Sequence, residues 1–185
     1  MPFPKQYAEI AARTRVPAGF LVMAAFLWFA QPTPATMLLG VAIASAGLAL
    51  RAWAAGHLAK NQKLATSGPY AHVRNPLYVG TLAVGIGFAI AGGRWSVGAL
   101  LVLFFLLWYL PVVEEEERHL AKILPGYDDY RARVPQLIPA LTPRYSGGES
   151  FQFALYRKNR EYQALLAFLL TLAALAAKTL WRLSL

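Results

Sequence analysis

The chain has 185 residues, of which 57% are hydrophobic, only 15% are charged and none is cysteine. A soluble domain carries about a quarter charged residues, so this composition predicts an integral membrane protein. The absence of cysteine excludes disulfides, thiolate catalysis and cysteine-ligated metal. The net charge of +9 fits contact with anionic lipid headgroups, and no separate basic fold predicts nucleic-acid binding.

Five apolar runs follow one another along the chain, and a spanning helix needs about 20 mainly apolar residues. The first run begins only at Val16, which argues against a cleavable signal peptide. Short turns at residues 31–34 and 92–94 pair the first four runs into two hairpins. We therefore predict an all-α membrane bundle of about five transmembrane helices without β-sheet. The runs are residues 16–30, 36–55, 77–92, 95–113 and 164–180.

The basic residues are divided unequally between the two sides that this topology defines. Fifteen lie with the N-terminus, the loop after the second run and residues 114–161, whereas the other side has only Arg94, Lys178 and Arg182. By the positive-inside rule, the basic side is cytoplasmic. All nine acidic residues share it. We thus expect a protein of the inner (cytoplasmic) membrane with its polar site facing the cytoplasm.

The long segment after the fourth run is expected to divide into short helices and a loop. Residues 114–124 predict a helix with Leu120, Ile123 and Leu124 on one face. This helix either continues past Pro111 or begins there, and the second possibility places the glutamates in its first turn, where they suit the helix dipole. Three further features are expected: a helical repeat of Tyr127, Tyr130 and Val134, a loop at residues 139–149, and an amphipathic interfacial helix at residues 151–162.

Two polar motifs carry the chemistry. The segment GPYAHVRNPLYVG covers residues 68–80, and four glutamates occupy residues 114–117. A bilayer protein rarely concentrates such residues at helix ends without a function. A helical hairpin also brings the start of the third run and the end of the fourth to the same side. We therefore expect the two motifs to form one site.

Together with Tyr127, Tyr130 and the following VPQLIP, these motifs resemble the isoprenylcysteine carboxyl methyltransferase family and the related phospholipid N-methyltransferases. The resemblance covers roughly residues 51–139 and indicates a bacterial-type member, with Asn75 where the eukaryotic pattern has histidine. It divides a single membrane domain, residues 1–185, into a first hairpin (15–55), a methyltransferase core with the second hairpin (56–139), and an interfacial segment with the C-terminal helix (140–185).

The resemblance implies S-adenosylmethionine as cofactor and no metal. The implied catalytic residues are Arg74 and Glu117. The chemistry of the cofactor agrees with this assignment: arginine suits its carboxylate, glutamate its ammonium or ribose, and tyrosine rings its cationic sulfonium. The implied cofactor-binding residues are Tyr70, Arg74, Asn75, Pro76, Tyr78, Glu116 and Glu117.

The acceptor stays open at this stage. A lipophilic molecule that enters from the membrane is expected, with carboxyl O-methylation of an isoprenylcysteine-like acid favoured because Asn75 cannot titrate. N-methylation of a phospholipid, a nicotinamide-dependent membrane reductase and a non-enzymatic carrier are the alternatives. The sequence does not predict the oligomeric state.

Each element also has a plainer interpretation. Arg74 alone could be a positive-inside anchor, and a run of four glutamates is usually a solvated face. Gly85 and Gly87 are more often helix-packing positions than cofactor contacts. Further residues are most simply interfacial: His57, His72, Trp28, Trp95, Trp108, Trp181, Arg157, Lys158 and Arg160.

Overall fold

The computed structural model describes residues 3–145 and 148–184, and within these ranges it contains helices and no β-strand. The prediction of an all-α membrane bundle is confirmed. A short 3-10 turn, Gly68–Ala71, precedes the third helix. The helices are α1 (Lys5–Phe29), α2 (Pro34–Ala55), α3 (Pro76–Ala91), α4 (Trp95–Ile123), α5 (Tyr127–Arg133), α6 (Phe153–Lys158) and α7 (Tyr162–Leu183).

Four helices, α1, α2, α4 and α7, are long and apolar enough to cross a membrane. Helix α3 has only 16 residues, which corresponds to roughly 24 Å at 1.5 Å per residue, against a hydrocarbon core of about 30 Å. The expected five spans are therefore four of full length and one shorter apolar helix. Contacts with polar groups of the adjoining loops hold both ends of α3.

Hydrogen bonds show which helix ends meet. At one end, here named the carboxylate end, the backbone nitrogen of Phe3 donates to Glu114 at 3.0 Å, and the guanidinium of Arg51 pairs with Glu161. At the opposite end, the nitrogen of Gln31 donates to the carbonyl of Gly92 at 2.7 Å. The chain thus crosses the same layer five times, and the acidic residues gather at one end of it.

The turns between the helices lie where the sequence predicts them. Thr33 caps α2 in a capping box with Thr36: the Thr36 nitrogen donates to Thr33 Oγ1 at 3.2 Å, and the Thr33 nitrogen donates to Thr36 Oγ1 at 2.9 Å. Gly93 adopts a positive φ of 67° between α3 and α4, a conformation that glycine adopts without steric cost.

Small residues let α2 and α3 approach closely. A Cβ placed on Gly87 would overlap the Ala44 backbone nitrogen and lie 2.7 Å from the Ala44 Cβ. A Cβ on Gly47 would lie 2.7 Å from the Gly80 carbonyl oxygen. Because lipid tails are as apolar as side chains, such close backbone packing is a main source of helix association in membranes. The interpretation as a packing position is confirmed for Gly87 and is wrong for Gly85, where an added Cβ would meet nothing within 4 Å.

We expect the substitution Gly87→Ala to destabilise the bundle by about 1–3 kcal/mol, the usual cost of overpacking. The matched control is Gly85→Ala, since a Cβ on Gly85 meets nothing within 4 Å; it should be neutral or slightly stabilising because alanine is the better helix former. Unfolding in mixed micelles with increasing SDS measures both. Equal stability of the two variants would contradict this view of the α2–α3 interface.

Helix α4 is one continuous helix with a π-helical turn at Phe105–Tyr109. Pro111 has no N–H group and cannot donate to the carbonyl of Leu107, four residues earlier. The Tyr7 hydroxyl donates to that carbonyl at 2.7 Å instead. The possibility that a new helix begins at Pro111 is wrong, and the four glutamates lie in the last third of α4.

The predicted cluster after α4 is largely confirmed. Tyr127, Tyr130 and Val134 are buried together, with Leu120 and Leu124 packed against them. Ile123 shares this face through its i, i+3 spacing from Leu120, but its side chain is 41% exposed, because only part of the face meets α5. In the predicted loop at residues 139–149, the described residues form no helix or strand; Ser146 and Gly147 lie outside the described residues.

The predicted amphipathic helix at residues 151–162 is shorter than expected, since α6 covers only Phe153–Lys158. Asn159 ends it by donating its side-chain amide to the carbonyls of Ala55 and Leu58, both at 2.9 Å. Arg160 then takes a positive φ of 55°, and the chain turns into α7. Helical periodicity alone does not predict this reversal, because it depends on the carbonyls at the end of α2.

Candidate functional site

The centre of the candidate site is an ion pair between Arg74, just before α3, and Glu117 on α4. Arg74 Nε lies 2.9 Å from Glu117 Oε1, and Arg74 Nη2 lies 3.0 Å from Oε2, so the contact is bidentate. The two side chains are 11% and 9% exposed. The hairpin therefore brings the two motifs together, as the sequence predicts.

Most of the remaining donors around this ion pair are also engaged. Arg74 Nη1 donates to the carbonyls of Arg131 and Val134 at 2.7 and 3.0 Å, which ties the end of α5 to the site. The Asn75 amide donates to Glu117 Oε1 at 2.6 Å. Arg74 and Glu117 are thus largely saturated by one another and by their neighbours. Their predicted contact with a cofactor stays a prediction.

The neighbouring carboxylate, Glu116, is bound differently. Tyr78, on the first turn of α3, donates its hydroxyl to Glu116 Oε2 at 2.7 Å. Pro76 begins α3 and is buried, and its fixed φ suits the first helical position. Among the described residues, Glu116 Oε1 has no protein donor. Of the two neighbouring glutamates, Glu116 and Glu117, Glu116 is therefore the one with a carboxylate oxygen available to a ligand.

A pocket of about 50 Å³ lies on the carboxylate end beside Glu116, with both charged and apolar side chains in its wall; it is here named the polar pocket for its charged side chains. Tyr70 lies in its wall, and the Tyr70 carbonyl accepts a hydrogen bond from Tyr130 at 2.7 Å. Burial raises the pKa of the Tyr70 phenol above its ordinary value, and the same cause acts on Tyr127 and Tyr130. These phenols are protonated at neutral pH. The wall also includes Lys60, Asn61, Lys63, Leu64, Arg74, Leu120 and Tyr127.

Two apolar cavities lie on the membrane side of Tyr78. The first, about 340 Å³, lies between α3 and α4 and is lined almost entirely by apolar atoms. The second, about 260 Å³, lies between α2, α3 and α7. Their walls have residues in common. The shared residues are Met23, Thr81, Val84 and Tyr109.

A short series of contacts joins the apolar cavities to the polar pocket. The ring of Tyr109, which lines both cavities, lies 6.0 Å from the ring of Tyr78 in an edge-on arrangement. Tyr78 in turn contacts Glu116, which lines the polar pocket. The Tyr78–Glu116 pair therefore lies between a polar compartment and an apolar one.

Sequence reasoning missed a second buried ion pair, Arg51 with Glu161. Arg51 Nε lies 2.6 Å from Glu161 Oε1, and Arg51 Nη2 lies 3.0 Å from Oε2. Arg51 also donates to Leu77 and Thr81 on α3 and lines the second apolar cavity. The available signals were an arginine that interrupts the second apolar run and a lone glutamate just before the last one.

The remaining residues of interest fall outside the polar pocket. Gly85 lines the first apolar cavity. His57 hydrogen-bonds to Ser67 Oγ at 2.9 Å, and burial lowers its pKa. His72 Nδ1 lies 2.9 Å from the Ala140 carbonyl. Among the described residues, no group of three or more His, Cys, Asp or Glu side chains is placed to hold a metal ion.

Comparison with known families agrees with this arrangement of motifs. The sequence model of the phospholipid methyltransferase family matches residues 35–126. The match covers just under half of the chain. The match contains all seven predicted site residues and Arg51, whereas Glu161, α5 and α7 lie outside it.

Three curated proteins are similar to parts of this chain. Protein-S-isoprenylcysteine O-methyltransferase of Schizosaccharomyces pombe is 26% identical over 143 residues, 74% of this chain and 60% of that protein. The cobalt-zinc-cadmium resistance protein CzcN of Cupriavidus metallidurans is 38% identical over 107 residues, 57% of this chain and 48% of that protein.

The nickel-cobalt-cadmium resistance protein NccN of Alcaligenes xylosoxydans xylosoxydans is 32% identical over 117 residues, 62% of this chain and 54% of that protein. The chain thus spans about half the length of these two resistance proteins. No solved structure matches it. The recognition of a methyltransferase family from the two motifs is confirmed.

Proposed function

We propose that this protein is an integral membrane methyltransferase that uses S-adenosylmethionine to methylate a lipophilic acceptor. The observation that carries the proposal is the position of the Tyr78–Glu116 pair between a polar pocket and apolar cavities. A polar donor and a lipophilic acceptor need two such compartments that meet at one point. The match to the phospholipid methyltransferase family model supports the same reaction class.

The side chains of the polar pocket fit this cofactor chemically. Glu116 offers a carboxylate oxygen to the ammonium or ribose hydroxyls, and Lys60 and Lys63 offer cations to the carboxylate. The rings of Tyr70 and Tyr127 attract a methylated cation. Arg74 and Glu117, which bind each other, would hold this wall in place and complete it. Tyr70, Asn75, Pro76 and Tyr78 position the start of α3 beside it.

The pocket is narrow in this structure. Its volume of about 50 Å³ is far below the ~300–1,000 Å³ of typical ligand sites. Residues 60–65, in the first half of the connection between α2 and α3, form part of one wall, and an exposed ion pair joins Lys63 to Glu149. We infer that this connection moves outward when the cofactor enters.

The reaction places simple demands on the protein. Bound S-adenosylmethionine supplies an electrophilic methyl group, so the protein contributes alignment and exclusion of water. A carboxylate acceptor is already ionised at pH 7 and needs no general base. The Tyr78–Glu116 pair lies at the junction of the two compartments, where Glu116 would hold the cationic end of the cofactor close to the acceptor.

For the acceptor, we propose an isoprenylcysteine-like acid whose carboxyl group is methylated. The apolar cavities fit a hydrocarbon chain. Similarity to the Schizosaccharomyces pombe isoprenylcysteine enzyme supports this choice. The family description favours the alternative, N-methylation of a phospholipid. A non-enzymatic carrier would have no need for the polar pocket.

We also propose that the carboxylate end faces the cytoplasm from the inner membrane. The excess of basic residues at that end supports it. The cofactor would then enter from the cytoplasm and the acceptor from the bilayer. The names of the two resistance proteins refer to metals, but our proposal contains no metal-binding step.

The test is transfer of a tritiated methyl group from S-adenosylmethionine by the purified protein in lipid vesicles. A farnesylated N-acetylcysteine and phosphatidylethanolamine serve as alternative acceptors. We expect label in the farnesylated acid, releasable as methanol by alkali, because a methyl ester is alkali-labile. The rate should be flat above about pH 6, since a carboxylic acid titrates near 4.

Three results would overturn parts of this proposal. Alkali-stable label in the phospholipid, with a rate that climbs through about pH 7–9 as an amine deprotonates, would move the reaction to N-methylation. Label in neither acceptor nor in a total lipid extract would contradict the methyltransferase assignment. Label in a different lipid of the extract would keep the reaction and replace the acceptor.

A further inference from the structure

The opposite end of the bundle has three cations and no Asp or Glu side chain. Arg94, Lys178 and Arg182 are the only basic residues predicted on this side, and the segments that form it contain no acidic residue. Lys178 and Arg182 are one helical turn apart near the end of α7, and Arg94 directly precedes α4 at the same end of the bundle. Their charge is uncompensated by any acidic side chain.

A groove lies beside this group, between α1 and α7. Its volume is about 660 Å³, and its wall is mostly apolar, formed by alanine, leucine and tryptophan side chains. Lys178 lies in the same wall, and its Nζ donates to the carbonyls of Leu27 and Trp28, each at 2.8 Å. An ammonium has three N–H donors, so one remains after these two bonds.

Tryptophans surround the groove and the cations. Trp28 and Trp181 line the groove and are 80% and 69% exposed, and Trp95, next to Arg94, is 87% exposed. Tryptophan concentrates at the level of lipid headgroups. An apolar groove, a cationic rim and a tryptophan belt thus occur together at one end of α7.

We propose that this groove binds an anionic phospholipid, with an acyl chain between α1 and α7 and the phosphate at Lys178, Arg182 and Arg94. Charge complementarity selects the occupant, because a zwitterionic lipid leaves the three cations uncompensated. The site lies in the leaflet away from the carboxylate end. It is separate from the proposed methyl-transfer site and does not depend on it.

The experiment uses the full chain in phosphatidylcholine vesicles that contain a small fraction of brominated lipid, which quenches nearby tryptophan fluorescence. Brominated phosphatidylglycerol is compared with brominated phosphatidylcholine. We expect stronger quenching by the anionic lipid. A surface-level Lys or Arg contributes about 1 kcal/mol to anionic-lipid attraction, or roughly fivefold in binding, so Arg94→Gln/Arg182→Gln should lower the preference about 25-fold.

The matched control removes two exposed cations from the carboxylate end, in the variant Lys122→Gln/Arg131→Gln. It should keep the preference of the wild-type protein to within about twofold. The proposal is overturned if the two brominated lipids quench the wild type equally. It is also overturned if the control variant loses as much preference as the Arg94→Gln/Arg182→Gln variant, since the attraction would then reflect net charge alone.

Discussion

Replacement of Arg74 by alanine is expected to destabilise the protein by about 3–5 kcal/mol, because it leaves the buried carboxylate of Glu117 without its cation. The variant also removes the donors to the Arg131 and Val134 carbonyls, which hold the end of α5. Thermal unfolding in detergent measures the effect. Arg74→Lys should lie between alanine and the wild type, since lysine keeps the charge but loses the planar fork.

Arg133→Ala is the matched control for this prediction. Arg133 also donates two hydrogen bonds to a carboxylate, both to Asp129 Oδ1, but the side chains are 61% and 48% exposed. Such exposed pairs contribute about 0–1 kcal/mol. If Arg74→Ala is no more destabilising than Arg133→Ala, Arg74 and Glu117 do not form the structural centre of the site.

A double variant separates the structural from the functional role of this ion pair. Replacement of both members of a buried ion pair by apolar residues is often nearly neutral. We therefore expect Arg74→Met/Glu117→Leu to recover part of the stability that Arg74→Ala loses. If the double variant also binds the cofactor, the two residues only support the fold. If it is stable but does not bind the cofactor, the site needs their charges.

The second large effect is expected at Glu116. Glu116→Gln keeps the shape of the side chain and its contact with Tyr78 but removes the charge. Loss of a charge-assisted hydrogen bond costs about 1.5–3 kcal/mol, so affinity for S-adenosylmethionine should fall roughly 10- to 150-fold. Equilibrium binding of radiolabelled cofactor to detergent-solubilised protein measures this change.

Glu115→Gln is the control for Glu116, because Glu115 is next to it on α4 but does not line the polar pocket. Glu115 Oε2 lies 3.1 Å from Arg118 Nη2 in an i, i+3 ion pair whose side chains are about one third exposed. We expect this variant to bind the cofactor within about threefold of the wild type, since partly exposed ion pairs on one helix contribute little. An equal loss in both variants would indicate a general effect of negative charge. If neither variant loses affinity for the cofactor, the interpretation of the glutamates as a solvated face is favoured.

The part of the site that hairpin geometry controls was predictable from the sequence. Arg74, Asn75 and Tyr78 begin one helix, Glu116 and Glu117 lie near the end of the next, and a short turn between those helices brings the two groups together. The same reasoning predicted the turn positions and the small-residue packing at Gly87. These features depend on local spacing, which the sequence states directly.

The partners of each polar group were not predictable in the same way. Arg74 is saturated by Glu117 and by carbonyls at the end of α5, and this depends on how α5 docks rather than on spacing. Arg51 and Glu161 are far apart in the chain, and neither belongs to a motif. The π-helical turn had one local signal, Pro111, but its compensation by Tyr7 depends on how α1 packs against α4.

The most direct test of the central claim is isothermal titration of the full chain in detergent with S-adenosylmethionine and, separately, with reduced nicotinamide cofactors. We predict saturable binding of one S-adenosylmethionine per chain, competition by S-adenosylhomocysteine, and no binding heat from either nicotinamide cofactor. Binding of a nicotinamide cofactor without S-adenosylmethionine binding would contradict the account and favour a membrane reductase, and binding of neither would favour a non-enzymatic carrier.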